Sequence, residues 1–199
     1  MKIEKIVLAT GNAGKVKEFS ELFASQNIRI APQSEFDVSS VPETGTTFVE
    51  NAIIKARHAA KLTNLPAIAD DSGLVVDALG GAPGIYSSRY AGEEASDSDN
   101  VVKLLGALEG TKTRNAHFHC CLVFMRSADD PVPIICEGQW QGQIATSPAG
   151  VGGFGYDPVF YDPQLGCTAA EMQKLDKNRI SHRAKALQQL LADMRALLG

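Results

Sequence analysis

The chain has 199 residues, 44% of them apolar and 21% charged, the balance of a soluble globular protein long enough to bury a sizeable core. Its formal net charge is −4 and no long basic run occurs, which speaks against duplex DNA or RNA as a partner. A small anion stays open, since a local pocket need not follow the net charge. No apolar run approaches the ~20 residues that span a bilayer, and the N-terminus has no signal-peptide core, so no membrane contact and a cytoplasmic location are expected.

Ile6-Val7-Leu8 reads as a buried strand within residues 3–9. The stretch that follows, LATGNAGKVK at 8–17, looks at first like the phosphate loop of kinases and GTPases. That loop needs four residues between its first glycine and its Gly-Lys, and a Ser or Thr after the lysine. Here Asn12 and Ala13 alone separate Gly11 from Gly14-Lys15, and Val16 follows, so the kinase-type loop is excluded. Val16, Phe19 and Phe23 recur at helical spacing and predict a helix over 13–25. A strand–turn–helix junction of this kind offers backbone amides and a helix dipole to an anion. Lys15 in the first turn is unfavourable unless something negative lies near; an ordinary turn with an exposed lysine is the alternative.

A strand at 28–32 precedes a second helix over 47–62, opened by a capping box from Thr47 to Glu50. Phe48, Ala52, Ile53, Ala56, Ala59 and Ala60 fall on one face, with Glu50, Arg57 and Lys61 opposite. Lys55 lies on the edge of the apolar stripe. Such a lysine either snorkels to water, the commoner fate, or faces a buried anion. Glu43, in the preceding loop, is a candidate oxygen ligand.

Strands are predicted at 67–70 and 73–77, with Asp70-Asp71-Ser72-Gly73 read as the turn ending the first. Neighbouring strand residues point to opposite faces, so one of the two carboxylates at most is expected in a given site. A carboxylate there suits magnesium, which prefers oxygen ligands; a solvated turn is the alternative. After a glycine-rich loop at 78–84 come a helix near 97–108 and long strands near 115–126 and 132–144. His117 and His119 would share a strand face, but no third metal ligand stands nearby. Cys120, Cys121, Cys136 and Cys167 contain no C-x-x-C pair and read as reduced thiols.

PAGVGGFGYDP at 148–158 is a second glycine-rich loop, in which Phe154, if exposed, offers a stacking face worth ~1–3 kcal/mol to a base. The alternative is a tight structural loop with Phe154 and Tyr156 in the core. The last helix, 182–198, opens at Ser181 as N-cap and buries Leu187, Leu190, Leu191, Met194, Leu197 and Leu198. His182 and Arg183 stand in its first turn, where the dipole opposes cations unless an anion is bound. The overall pattern is α/β with a mixed sheet.

Taken in order, TGNAGK, ETGTTFVENAIIKA, ADDSGLVVDALGGAPGIYSSRYAG, GGFGYDPVF and ISHRAKAL resemble the inosine triphosphate pyrophosphatase family, from Thr10 to Arg183. The resemblance implies one domain over residues 1–199, a two-lobed fold with a long mixed sheet, a substrate cleft between the lobes and a homodimer. It implies Mg²⁺-dependent hydrolysis of ITP, dITP and XTP to monophosphate and pyrophosphate, which cleanses the nucleotide pool. Thr10, Gly11, Asn12, Ala13, Gly14 and Lys15 would hold the triphosphate, and Lys55 would face it. Asp71 would be the general base, sharing magnesium with Glu43, and Ser72 would hydrogen-bond the substrate. Phe154 would stack on the base within a pocket shaped by Gly155, Tyr156 and Asp157. Lys177, His182 and Arg183 would read the polar edge of that base. The rivals are a phosphatase releasing orthophosphate, whose D-x-D pattern Asp70-Asp71 lacks, and a nucleotide sensor without turnover.

Overall fold

The computed structural model describes residues 3–24 and 28–198, except for the side chains of residues 13, 18, 22 and 196–198. The first strand, β1 (Lys5–Leu8), is buried at Ile6, Val7 and Leu8, as a continuous apolar run with a neighbour on each edge requires. It pairs in parallel with β2 (Arg29–Pro32) and with β3 (Ala67–Val76). Two long strands, β4 (Asn115–Met125) and β5 (Ile134–Ile144), are followed by the short antiparallel pair β6 (Phe160–Asp162) and β7 (Cys167–Thr168). The order across the seven-stranded sheet is β2-β1-β3-β4-β5-β6-β7, and its parallel and antiparallel ladders make it the mixed sheet the pattern predicts.

Among the described residues five α-helices accompany the sheet: α1 (Ala13–Phe23), α2 (Phe48–Thr63), α3 (Asp97–Ala107), α4 (Lys174–Ile180) and α5 (His182–Leu198). Of the α1 stripe, Phe19 and Phe23 are fully buried; Ser25, the end predicted for that helix, lies outside the described residues. In α5, Leu187, Leu190 and Met194 are buried, whereas the Leu197 and Leu198 side chains lie outside the described residues. Both strands of the capping box in α2 form: Thr47 accepts from the Glu50 amide, and the Glu50 carboxylate from the Thr47 amide.

Two compact units divide the chain. One takes in Met1–Asp71, Cys121–Cys136 and Leu187–Gly199, and the other Ser72–Cys120 and Glu137–Ala186. The first holds an alanine-rich core in which Ala52, Ala56, Ala59 and Ala60 of α2 meet Val7, Ala67, Ala69, Cys121 and Val123. The second is aromatic: Phe118, Trp140, Tyr156 and Phe160 join Leu74, Val76, Val101 and Leu104. Within it the Trp140 indole donates to Asp162 at 2.8 Å, which satisfies both buried polar groups.

Two expectations change. Residues 67–70 and 73–77 are not two strands about a turn but the one ten-residue strand β3, nearly all of it buried. The strand lies between β1, which it pairs at Ala67 and Ile68, and β4, and pairing within the sheet outweighs the local turn preference of Asp-Ser-Gly. The second change is α4, where the sequence shows neither an N-cap side chain nor a full apolar stripe; its N-cap, Gln173, makes no capping bond. Ser181 ends α4 and caps α5, its hydroxyl accepting from the Ala184 amide at 3.2 Å.

Candidate active site

In the first unit, the turn after β1 is tied to itself. Thr10 Oγ1 accepts from the Asn12 amide, and Asn12 Oδ1, the N-cap of α1, accepts from the Lys15 amide, each at 3.1 Å. Gly11 and Gly14 lie in this turn and first helical turn, and the Ala13 side chain is outside the described residues. Lys15 extends from here to Asp70, its ammonium 2.6 Å from Oδ1 of a carboxylate wholly withdrawn from solvent. The negative group that a lysine in that position demanded is therefore part of the chain itself.

Lys55 does not snorkel. Its side chain is 17% exposed, and its ammonium donates to Glu43 Oε1 at 2.7 Å, to Asp71 Oδ1 at 2.5 Å and to the Asp70 carbonyl at 3.1 Å. All three donor positions of the ammonium are used, which is how a half-buried cation escapes an unpaired charge. Asp70 and Asp71 thus each take a different lysine, as alternation along β3 requires, although both lie mid-strand rather than at a strand end. Burial acts to lower the Lys55 ammonium, but Asp71 and Glu43 together outweigh it and hold the group above its ordinary value. Burial pushes the Asp71 carboxyl up; Lys55 opposes this, and the charges of Glu43 and Asp70 add to the rise.

Asp71 Oδ2 is buried and has no hydrogen-bond partner among the described residues. An orphaned carboxylate oxygen beside a second carboxylate is an oxygen-donor set suited to a hard divalent ion, which takes one or two carboxylates and completes its shell with water and phosphate. Among the described residues no group of three or more His, Cys, Asp or Glu is placed to hold a metal. His117 and His119 stand with rings 6.3 Å apart, and His119 Nε2 lies 3.4 Å from Glu137. The four cysteines are free thiols.

In the second unit, the glycine-rich loop leaves Phe154 58% exposed while Tyr156 is buried, its hydroxyl donating to the Ser87 carbonyl at 2.8 Å. Phe154 therefore lies outside the core that the structural alternative for this loop gave it, while Tyr156 lies within it. The Lys177 ammonium lies 5.1 Å from the Phe154 ring centroid and pairs with Asp157, which also accepts from the Phe154 amide at 2.9 Å. His182 and Arg183 are buried, and the His182 ring stacks on Phe118 with centroids 4.9 Å apart. Ser72, at the start of this unit, is half-buried.

Two residues of these clusters escape a reading of the sequence. Asp70 appears there only as the neighbour of Asp71. Asn51, fully buried, accepts from the Gly45 amide at 2.9 Å and so braces the loop that carries Glu43. The signal for it was a polar residue one turn before Lys55, beside the edge of the apolar stripe of α2.

The model of the Ham1 family matches residues 6–193. A dITP/XTP pyrophosphatase of Vibrio vulnificus is 60% identical over 195 residues, covering 97% of this chain and 98% of the relative. Among solved structures, a HAM1 protein from Coxiella burnetii superposes with a TM-score of 0.94 at 52% identity, covering 98% of this chain and all of its own. The Staphylococcus aureus Ham1 protein gives 0.90 at 43%, covering 97% and 99%. A model spanning nearly the whole chain, with relatives this alike in sequence and fold, shows that the chain belongs to the Ham1 family.

Proposed function

We propose that this protein hydrolyses deaminated purine nucleoside triphosphates (ITP, dITP and XTP) to the monophosphate and pyrophosphate. The observation that carries the reading is Asp71, a buried carboxylate with one oxygen on Lys55 and the other without a partner among the described residues, beside Glu43. Its support from relatives is the activity named for the Vibrio vulnificus protein.

Attack at phosphorus is chiefly a matter of positioning and charge neutralisation. The Thr10–Lys15 turn offers first-turn amides of α1 and a lysine to the triphosphate. Glu43 and Asp71 would hold Mg²⁺, which would supply charge neutralisation to the triphosphate. Asp71 accepts the proton of the water that attacks the α-phosphate, and Lys15 and Lys55 stabilise the charge on the leaving pyrophosphate. Ser72 hydrogen-bonds the substrate. In the second unit, Phe154 stacks on the base, and Lys177, His182 and Arg183 face its polar edge. Arg183 can only donate, so a 6-oxo group satisfies it, and a 6-amino group leaves donor facing donor.

The test is a product assay by phosphorus NMR with ITP, XTP, GTP and ATP, with and without Mg²⁺. Pyrophosphate and monophosphate from ITP and XTP, lost in Asp71→Asn while its circular dichroism is unchanged, are expected. Orthophosphate, indifference to the base, or full activity in Asp71→Asn would falsify the reading; tight binding of ITP without turnover would make the protein a sensor.

A further inference from the structure

The glycine-rich loop carries an exposed aromatic ring, and an exposed ring is useful for stacking only if the backbone beneath it is held. Asp157 accepts from the Phe154 amide at 2.9 Å, a bond made inside the loop. The bond from outside comes from Asp97, the first residue of α3, whose Oδ2 accepts from the Gly155 amide at 2.6 Å across 58 residues of sequence. Gly155 has φ +61°, a conformation that side chains with a Cβ adopt with strain, so its amide points where ordinary backbone would not send it.

Asp97 is not needed to start its own helix. The N-cap is Ser96, whose hydroxyl accepts from the Asp99 amide at 3.2 Å, while the Asp99 carboxylate takes the Ser96 amide at 2.9 Å. That reciprocal pair closes the capping box and leaves the Asp97 carboxylate to reach elsewhere. The residue it grips follows Phe154 directly, so fixing the Gly155 amide fixes the orientation of the Phe154 peptide and, through it, the ring. A carboxylate–amide bond is charge-assisted and short, a stiffer tether than a neutral one.

Building on the stacking role assigned to Phe154, we propose that Asp97 is a positioning residue for base recognition, holding the Phe154 ring in its stacking pose through the Gly155 amide. It touches neither phosphate nor metal in this scheme, so its loss acts on substrate binding and not on the chemical step.

Four proteins test this: wild type, Asp97→Ala, Phe154→Ala and the double variant, with Asp97→Asn as a further control. In Asp97→Ala, KM for ITP should rise about tenfold, the scale of one lost charge-assisted hydrogen bond, with kcat within about twofold. In the Phe154→Ala background the same substitution should add nothing, since the ring it positions is gone. Asp97→Asn keeps an acceptor and loses the charge, so its KM should fall between wild type and Asp97→Ala; a role confined to the α3 dipole would instead make it resemble Asp97→Ala. Hydrogen exchange at the Gly155 amide, measured without nucleotide, should quicken in Asp97→Ala. Additive losses in the double variant, a kcat effect with unchanged KM, or unchanged Gly155 exchange would each overturn the proposal. Absence of pyrophosphate release by the wild type overturns the proposed function instead, and Gly155 exchange still reports on the tether.

Discussion

A lysine on the rim of an apolar helix face has two ways to avoid a buried bare charge: reach water or meet an anion. Lys55 meets two, Glu43 and Asp71, plus a carbonyl. Its position beside the stripe was legible from helical spacing alone, whereas its choice between the two outcomes depended on residues 12 and 16 positions away. Replacing it with methionine leaves two carboxylates facing one another without a cation. Lys55→Met should lower stability by roughly 2–3 kcal/mol, somewhat less than for a fully buried pair because water still reaches the group. Turnover of ITP should fall at least about a hundredfold with the lost cation. A urea midpoint and the product assay check both; wild-type turnover would remove Lys55 from the phosphate site. Arg183 belongs to the same scale. Arg183→Ala should reduce the preference for ITP over ATP by about tenfold or more, the cost of leaving one polar group unpaired. An unchanged ratio of kcat/KM values would show that other groups read the base.

At the scale of elements, the longer strands and helices follow from periodicity, whereas the short β6 and β7 do not, and other exceptions are where local and tertiary preferences disagree. Asp-Asp-Ser-Gly is turn chemistry, yet it runs straight through β3, because membership of an interior strand of the sheet decides there. The seven-residue α4 has no capping side chain to announce it. The start of α5 is held by a close approach to β5: a Cβ on Gly138 would lie 2.0 Å from the His182 carbonyl oxygen and 2.7 Å from the Ala186 amide nitrogen. Gly138→Ala should therefore cost about 3 kcal/mol or displace the first turn of α5, and with it His182 and Arg183. A raised KM for ITP in parallel with a lower urea midpoint is expected, and a variant as stable and active as wild type would refute the packing argument.

Asp130, in the connection from β4 to β5, gives an element-scale test of pH. It accepts from the Arg126 guanidinium at 2.5 and 2.8 Å and from the Arg126 and Val132 amides, and the Arg126 bonds first of all hold its carboxyl well below the usual range. A carboxyl depressed in the folded state contributes stability above its unfolded pKa and loses it as pH falls toward the folded value. Asp130→Asn should thus lower the urea midpoint at pH 7, and the gap to wild type should narrow below about pH 4. A gap independent of pH would mean that the contribution is not ionic.

For the whole molecule, a ligand that binds the folded state raises its melting temperature by mass action. Asp71→Asn at saturating Mg²⁺ and about 100 Kd of ITP should melt roughly 5–10 °C higher than without nucleotide, on the scale of a chain this long. ATP at the same concentration should shift it little, and equal shifts would deny base selectivity in binding. A chelator is expected to abolish turnover while moving the melting temperature by less than about 2 °C, because two carboxylates are too few to make an ion part of the folding energy. Unfolding on chelation would instead identify a structural metal.

The sequence by itself determined the element types of the long segments, the caps of α2 and α5, and the order of motifs that places the chain in its family. These are properties of spacing, and spacing is written locally. The tertiary structure alone decided which charges meet: that Lys15 takes Asp70, that Lys55 takes Asp71 and Glu43, that Lys177 takes Asp157, and that Asp97 reaches Gly155. Each pairing joins residues far apart along the chain, and its geometry exists only once the strands and helices carrying them have packed. A charge read alone is compatible with water or with a partner, and only burial makes the partner obligatory.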